Sequence, residues 1–260
     1  MTSAGRDVSA FYVEALERLS CSGIPFLVGG ALALGYYTRI DRQTKDLDLF
    51  LRKADVERAL DLFRRAGYRA ELRFPHWLGK VYCGEEYVDL IFSSGNGVAV
   101  VDDLWFEHAI GADVLGVGVK LSPPEEMIWS KAFVQERERF DGADVLHLFY
   151  RFGPTLDWQR LLDRFGPHWR VLLAHIIMFG FVYPGRRCLI PGWVTDGLMS
   201  RLAAERDDHS DHVCNGTLLS REQYAFDLDA LSYDDARVEP RGHLTPDEID
   251  IWTAAIDGEK

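Results

Sequence analysis

Apolar and polar residues alternate with two different periods along the first half of the chain. Helical spacing of the apolar side chains predicts two amphipathic helices, in segments 7–19 and 54–66. Short apolar runs bounded by turn residues predict strands at 24–28, 68–74, 80–83 and 87–92. Segment 98–121 has the pattern of peripheral strands with glycine-rich turns. Four polar residues of that segment are interpreted as loop or surface positions: Asp102, Asp103, Glu107 and His108.

Helical patterns dominate the second half of the chain. The sequence Ser122-Pro123-Pro124-Glu125 is typical of a helix start, with Ser122 as the capping residue. Further helices are predicted at 156–165, 167–182, 193–205 and around 222–231, and Thr245-Pro-Asp-Glu predicts the start of a final one. We therefore expect an α/β (α+β) fold, in which a domain with a short mixed sheet and flanking helices precedes a helical C-terminal domain.

Composition narrows the class of protein. The chain has 260 residues, 47% of them hydrophobic and 27% charged, which is ordinary for a soluble globular protein. Its net charge of −12 argues against a broad electrostatic grip on nucleic acid, although a local basic cleft is compatible with it. The four cysteines are widely spaced and form no C-x-x-C pair, which predicts reduced thiols in the cytoplasm.

Membrane insertion is not expected from the sequence. The N-terminal segment has no basic region followed by an apolar core, so no signal peptide is predicted. The most apolar later stretch, 171–182, contains His175 and Gly180 and is too short to span a bilayer. His175 itself is interpreted as a core histidine.

Two acids alternate with leucines in the segment Asp46-Leu-Asp-Leu49. Successive side chains of a strand point to opposite faces, so Asp46 and Asp48 share one face and lie about 6–7 Å apart along the strand. Carboxylates that close repel each other unless a cation lies between them, and Mg²⁺ binds through such carboxylates and substrate phosphates. The alternative is an exposed strand edge with solvated acids.

Gly29 and Gly30 end the first predicted strand and precede a short apolar, helix-like segment. A glycine pair at this place lets the backbone approach a ligand closely, and free N–H groups at a helix start favour phosphate. An ordinary tight turn between a strand and a helix would use the same residues.

Asp89 interrupts the apolar strand 87–92. An unpaired buried carboxylate is costly, so Asp89 either faces solvent or has a partner. Its neighbours on the same face are Tyr87 and Ile91, which give no ordinary reason for an acid.

Together these residues resemble the DNA polymerase β superfamily of nucleotidyltransferases. The resemblance covers about the first 150 residues and rests on Gly29-Gly30, on Arg42-x-Thr44-x-Asp46-x-Asp48 and on Asp89. It is nearest to the small prokaryotic branches, which include aminoglycoside nucleotidyltransferases and the nucleotidyltransferase toxins of type IV toxin–antitoxin systems. The first domain, 1–121, is accordingly predicted to be the catalytic domain, 122–206 the helical domain, and 207–260 an acidic linker and tail whose role no pattern indicates.

The resemblance implies two-metal chemistry at three carboxylates. Asp46 and Asp48 would hold two Mg²⁺ (or Mn²⁺) ions against an NTP, and Asp89 would join the ion nearest the attacking hydroxyl. Asp89 is also a candidate general base. Arg42 and Thr44 would shape the preceding loop and touch phosphate, whereas Thr44 could instead only fix the loop by a hydrogen bond to the backbone.

A second set of polar residues follows on the first helix after the catalytic domain. In the toxin-like branch a lysine on this helix reaches the nucleotide phosphates, and an arginine and paired aspartates follow it. Lys131 is the counterpart of the lysine, and Asp144 is predicted to help bind the nucleotide. The arginine is either Arg137 or Arg139. Asp141 is equally well explained as a helix cap.

The predicted reaction is transfer of a nucleoside monophosphate to an acceptor hydroxyl with release of pyrophosphate, in a cleft between the two domains. The acceptor is tRNA or a small molecule, and the sequence does not distinguish them. The alternative is a non-catalytic nucleotide-binding or protein-interaction module on the same scaffold. No membrane partner is expected.

Overall fold

A computed structural model describes residues 8–40, 44, 46–206 and 212–255 of the chain. It divides the chain into two compact units, Met1–Pro123 and Pro124–Lys260. The first unit is built around a mixed sheet, and the second is mainly helical. The predicted α/β (α+β) fold is therefore confirmed. The predicted separation of segment 207–260 as a tail remains a prediction.

The described part of the first unit contains four helices and seven strands. Its helices are α1 (Val8–Ser22), α2 (Gly30–Thr38), α3 (Lys53–Arg65) and α4 (Asp103–Glu107). Its strands are β1 (Leu27–Val28), β2 (Asp46–Phe50), β3 (Arg69–Phe74), β4 (Leu78–Cys83), β5 (Glu86–Ile91), β6 (Ile110–Val114) and β7 (Val117–Leu121).

The sheet has the strand order β3-β4-β5-β2-β1-β7-β6. Strand β2 runs parallel to β5 and antiparallel to β1, while β1 runs parallel to β7, so the sheet is mixed as predicted. Within β2, Leu47 and Leu49 are fully buried, and Asp46 and Asp48 on the opposite face are half-buried. The alternation of apolar and acidic residues therefore fixes which face of the sheet carries the acids.

One loop prediction in the first unit is wrong. Residues Asp103–Glu107 form helix α4, and the Asp102 side chain caps it by accepting a hydrogen bond from the Leu104 N–H. The helix packs Trp105 fully into the core, where its ring stacks on Phe50. A five-residue helix is too short to show helical spacing, so the pattern resembled a loop.

The described helices of the second unit begin directly at the boundary between the units. They are α5 (Pro124–Ala132), α6 (Gly142–Phe152), α7 (Trp158–Phe165), α8 (Trp169–Val182), α9 (Gly192–Ala204), α10 (Ala225–Asp229) and α11 (Pro246–Ala254). Two short strands, β8 (Val213–Cys214) and β9 (Asp234–Asp235), pair in parallel.

Two of the predicted helix caps, at Ser122 and Thr245, have different outcomes. Thr245 and Glu248 form a reciprocal capping box at the start of α11, so that prediction is confirmed. Ser122 does not cap α5, because its hydroxyl has no hydrogen-bond partner among the described residues. Its backbone is instead hydrogen-bonded within the first unit: the N–H donates to the Val28 carbonyl, and the carbonyl accepts from the Tyr37 hydroxyl.

Helices α7 and α8 join through a 3-10 turn into one helical stretch, Trp158–Val182, of 25 residues. By length and composition alone this stretch could cross a membrane, because the apolar segment 171–182 belongs to a helical stretch that is longer than the segment itself. One such helix is weak evidence for insertion, because core helices of soluble proteins have the same length and composition.

A buried ion cluster joins α5 to α7. Glu126 is fully buried and lies 2.8 Å from Arg160 and 3.2 Å from Arg164. Glu125 also pairs with Arg160, at 2.7 Å. Burial raises the pKa of Glu126, and the charges of the two arginines oppose that shift.

Glu126→Gln should lower the free energy of unfolding by about 3–5 kcal/mol, because it leaves two largely buried guanidinium groups short of a counter-charge. Urea unfolding of the variant and of the wild type measures the difference. Glu138→Gln, at an exposed position, is the matched control and should change stability little. An equal, small effect of both substitutions would show that the cluster contributes nothing to folding.

His175 is a core histidine, as predicted. It is buried in α8, and its Nε2–H donates to the Ala132 carbonyl at 3.0 Å. Nδ1 has no hydrogen-bond partner among the described residues, so protonation would place an unpaired charge in the core. Burial accordingly lowers the pKa of His175, and burial also lowers that of His168.

Stability should therefore fall as the pH drops below about 6.5, the ordinary pKa of histidine. Below that pH the unfolded chain binds the proton and the folded chain does not, until the pH passes the folded pKa. We expect His175→Gln to lose less unfolding free energy than the wild type between about pH 7.5 and about pH 5.5. His243→Gln, at an exposed site, should keep the wild-type loss. A pH dependence unchanged by His175→Gln would contradict this prediction.

Candidate active site

The structure brings three carboxylates together on the sheet of the first unit. Asp46 and Asp48 come from β2 and Asp89 from β5, and each offers a carboxylate oxygen within 4.8 Å of the other two. Asp48 and Asp89 face each other directly in the parallel register of these strands. We call Asp46, Asp48 and Asp89 the acidic triad. The three acids converge because they lie on the same face of two adjacent strands.

Thr44 fixes the first acid of the triad. Its Oγ1 lies 2.5 Å from Asp46 Oδ1 and 2.9 Å from the Asp46 carbonyl oxygen. The hydroxyl is therefore within hydrogen-bond distance of both the backbone and the carboxylate of Asp46, the first residue of β2. Arg42, the other predicted residue of this loop, lies outside the described residues.

The two glycines pack directly against β2. Gly30 begins α2 with a φ of +53°, and a Cβ at this position would collide with Asp48 Oδ2. A Cβ on Gly29 would collide with the Phe50 ring. The Gly29 N–H donates to the Asp48 carbonyl at 3.0 Å, so this hydrogen bond joins the end of β1 to β2. The start of α2 thus lies beside the triad because no side chain intervenes.

Lys80 is a residue of the site that the sequence patterns missed. It lies on β4, directly opposite Asp89, with its Nζ 2.8 Å from Asp89 Oδ1. Its ammonium is also 3.7 Å from the centre of the Tyr87 ring. The alternation within β4 was visible in the sequence, but its pairing with β5 was not.

Tyr12 was also missed, because its position on the apolar stripe of α1 predicted only a core role. The residue is buried, and within the described part of the chain its hydroxyl has no hydrogen-bond partner. Burial, together with the negative charges of Glu86, Asp46 and Asp48, raises the pKa of Tyr12 to about 12. The hydroxyl therefore stays protonated in the field of the triad.

The second predicted group of polar residues comes together in the second unit. Lys131 lies 3.0 Å from Asp141 and 2.9 Å from Asp144, and all three side chains are largely buried. Arg139 also pairs with Asp141, at 2.9 Å, and Arg137 is exposed. Burial favours a higher pKa for Asp141, but hydrogen bonds from Arg139 and the charge of Lys131 lower it overall.

Asp141 occupies the N-cap position of α6, but its side chain makes no capping hydrogen bond. The capping explanation is therefore wrong, and the carboxylate serves as a partner of Lys131 and Arg139.

A pocket of about 500 Å³ lies elsewhere in the second unit. It is lined by His147, Tyr150, Val182, Tyr183, Pro184, Gly185 and Arg186. None of these residues has a carboxylate, so this pocket offers no ligand set for Mg²⁺. The triad remains the candidate centre of the chemistry.

Comparison with known structures finds similar proteins at low identity. The antibiotic-resistance factor ANT(2'')-Ia is 16% identical, with a TM-score of 0.39, over 75% of this chain and 93% of that one. The lincosamide antibiotic adenylyltransferase LnuA, in a lincomycin-bound structure, is 13% identical, with a TM-score of 0.40, over 55% of this chain and 96% of that one. Terminal uridylyl transferase 4 from Trypanosoma brucei, with bound GTP, is 13% identical, with a TM-score of 0.33, over 96% of this chain and 89% of that one.

No curated protein sequence matches the chain. Residues 5–169, however, match the sequence model of a family described as "uncharacterised nucleotidyltransferase". The match covers more than half of the chain and includes the glycine pair, the triad and Lys131. The chain therefore belongs to this nucleotidyltransferase family, and the relation to nucleotidyltransferases that its motifs indicate is confirmed.

Proposed function

We propose that the protein is a divalent-metal-dependent enzyme that transfers a nucleoside monophosphate from an NTP to an acceptor hydroxyl and releases pyrophosphate. The observation that carries this proposal is the convergence of the three triad oxygens within 4.8 Å. Three carboxylates at such distances repel one another and favour a bound cation.

The donor set fits Mg²⁺ or Mn²⁺. All three ligands are carboxylate oxygens, which hard divalent ions prefer, and two of them sit on one strand with a third directly opposite. Asp46 is further restrained by Thr44, so its oxygen is held in place before an ion binds. In our proposal Asp46 and Asp48 would hold two ions, and Asp89 would join them as a ligand on the acceptor side.

Bound divalent ions in such a site lower the pKa of the acceptor hydroxyl and neutralise the charge that develops on the pyrophosphate. The residues of the chain provide positioning. Asp89 faces Asp48 from β5, where it is the candidate base for the proton of the acceptor hydroxyl.

Phosphate binding is assigned to the start of α2. The helix begins at Gly30, beside Asp48, and the N–H groups of a first helical turn attract anions. Because the Gly29 N–H already bonds to the Asp48 carbonyl, Gly29 contributes by letting the turn pack closely against Phe50 of β2. Arg42 is assigned a phosphate contact from the resemblance alone.

We also propose that Lys131 and Asp144 bind the nucleotide. The assignment rests on the resemblance, and in the structure ion pairs with Asp141 and Asp144 hold the largely buried ammonium of Lys131 in one position.

The acceptor is proposed to be tRNA or a small molecule, and the protein is proposed to act in the cytoplasm. The net charge of −12 favours a small, basic acceptor over a long nucleic acid. A protein partner is a further proposal. It is supported by large apolar side chains that are exposed on α8 and α9: Ile177, Phe181, Trp193 and Met199.

A labelling assay tests the proposed function. The protein is incubated with each α-labelled NTP and Mg²⁺ or Mn²⁺, in the presence of total tRNA, cell protein or a small-molecule extract. We expect label to enter one of these pools, which identifies the acceptor class. The Asp46→Asn, Asp48→Asn double variant should give no label. Glu107→Gln, which alters an exposed acid of the same unit, should label like the wild type.

Absence of labelling together with absence of metal-dependent NTP binding would overturn the proposal. Equal labelling by the wild type and the double variant would also overturn it, because the triad would then have no part in the reaction.

A further inference from the structure

Lys80 belongs to a row of charged side chains that crosses four neighbouring strands. Glu71 on β3 lies opposite Lys80, Lys80 lies opposite Asp89, and Asp89 lies opposite Asp48. Residues in direct register share one face of a sheet, so the ammonium has acids on both sides. The Glu71 carboxylate, however, accepts hydrogen bonds from the Tyr82 hydroxyl at 2.9 Å and from Arg69. Lys80 pairs with Asp89 instead, at 2.8 Å.

The position of the ammonium is restrained by its surroundings. The side chain of Lys80 is 18% exposed and that of Asp89 is 12% exposed, so water screens their attraction less than at an open surface. The face of the Tyr87 ring lies 3.7 Å from Nζ and adds a cation–π contact. Lys80 thus places a fixed positive charge on the third acid of the triad.

That charge lies where a divalent ion is expected. An ion that binds Asp89 would lie close to an ammonium that occupies one oxygen of the same carboxylate, and like charges at such distances repel strongly. With Lys80 in place, ion binding at Asp89 requires the ammonium to give up its contact or to tolerate the ion nearby. Either event weakens the binding of the ion.

We propose that Lys80 is a positioning residue that holds Asp89 in the metal-free protein and competes with the divalent ion for it. This inference rests on the proposed function, because it presupposes that the triad binds divalent ions. Lys80 would then stabilise the metal-free triad, and it would make ion binding at Asp89 weaker than three carboxylates alone would allow.

Mn²⁺ binding to the full chain, measured by the paramagnetic resonance signal of the free ion, tests the proposal without any turnover. Titrations are made with and without a non-hydrolysable NTP analogue. Lys80→Met removes the charge at similar side-chain length and should tighten Mn²⁺ binding by about tenfold or more. Lys80→Arg keeps the charge and should bind like the wild type.

Lys120→Met is the matched control, because it removes an exposed lysine from strand β7 of the same unit and changes the net charge equally. It should leave the affinity almost unchanged. Tightening in Lys80→Met alone supports the proposal, since a purely structural lysine would weaken binding when removed.

If Lys80→Met binds Mn²⁺ more weakly than the wild type or equally well, the proposal that Lys80 competes with the ion is wrong. The proposed function would still stand if the wild type binds Mn²⁺ and Asp48→Asn does not. If neither the wild type nor the two Lys80 variants show Mn²⁺ binding that Asp48→Asn abolishes, the proposed function and this inference both fail. The two failures are therefore distinguishable.

Discussion

Asp89→Asn should lower the rate of nucleotidyl transfer by about 10³-fold while metal-dependent NTP binding is retained. In the proposed arrangement the two acids of β2 hold the ions against the triphosphate, and Asp89 acts on the acceptor side. Asparagine keeps the shape of the side chain and an oxygen that can accept from Lys80, so the fold should persist. The lost charge is the one that would activate the acceptor hydroxyl.

Asp48→Asn is expected to behave differently from Asp89→Asn. Asp48 lies between Asp89 and the start of α2, beside the proposed phosphate site. Its loss should therefore remove both transfer and metal-dependent NTP binding. Single-turnover transfer with labelled NTP, together with equilibrium binding of a non-hydrolysable analogue, separates the two effects.

Glu107→Gln serves as the control for loss of an acid, and thermal unfolding checks that each variant is folded. If Asp89→Asn loses NTP binding to the same extent as Asp48→Asn, the division of roles between the strands is wrong. Wild-type transfer in Asp89→Asn would exclude the third acid from the chemistry altogether.

The central strand and its two acids could be predicted from the sequence because strand alternation is a local property. In Asp46–Phe50 the apolar and acidic positions already state which residues share a face. Asp89 could be singled out because an acid within an apolar strand needs a partner. Local patterns therefore singled out the three acids, the resemblance to nucleotidyltransferases joined them into one predicted site, and their spacing in the fold follows from the register of β2 and β5.

The residues that could not be predicted depend on contacts between distant segments. Lys80 reaches Asp89 only because β4 and β5 pair in one register, and a shift by one residue would turn Lys80 to the other face. Tyr12 has the same pattern as any apolar residue of α1, and only the packed fold places it in the field of the triad. Helix α4 was missed because five residues carry too little periodicity.

The glycine pair illustrates a third case, in which the sequence indicates a close approach but not its partner. Glycine before a helix is consistent with phosphate binding or with an ordinary turn. The structure shows that Gly30 adjoins the carboxylate of Asp48, with a φ of +53°. The space that a Cβ would need is taken by a member of the triad.

Gly30→Ala should therefore reduce transfer by about 10²-fold or more, because the added methyl group forces Asp48 out of its position, and catalytic groups tolerate little displacement. The left-handed backbone adds a cost of about 1–2 kcal/mol in folding stability for any residue with a side chain. The variant should thus be both less stable and much less active. Denaturant unfolding measures the first effect, and transfer at saturating NTP measures the second.

Gly23→Ala separates these two effects. Gly23 has a φ of +72°, and a Cβ there would meet no atom within 4 Å, so this variant pays the backbone cost without a collision. We expect it to lose similar stability from the backbone alone and to retain wild-type transfer. If Gly30→Ala and Gly23→Ala lose activity equally, general destabilisation explains the loss. A large loss of transfer confined to Gly30→Ala shows that the missing Cβ is required for the placement of Asp48, and hence that the glycine turn is part of the active site.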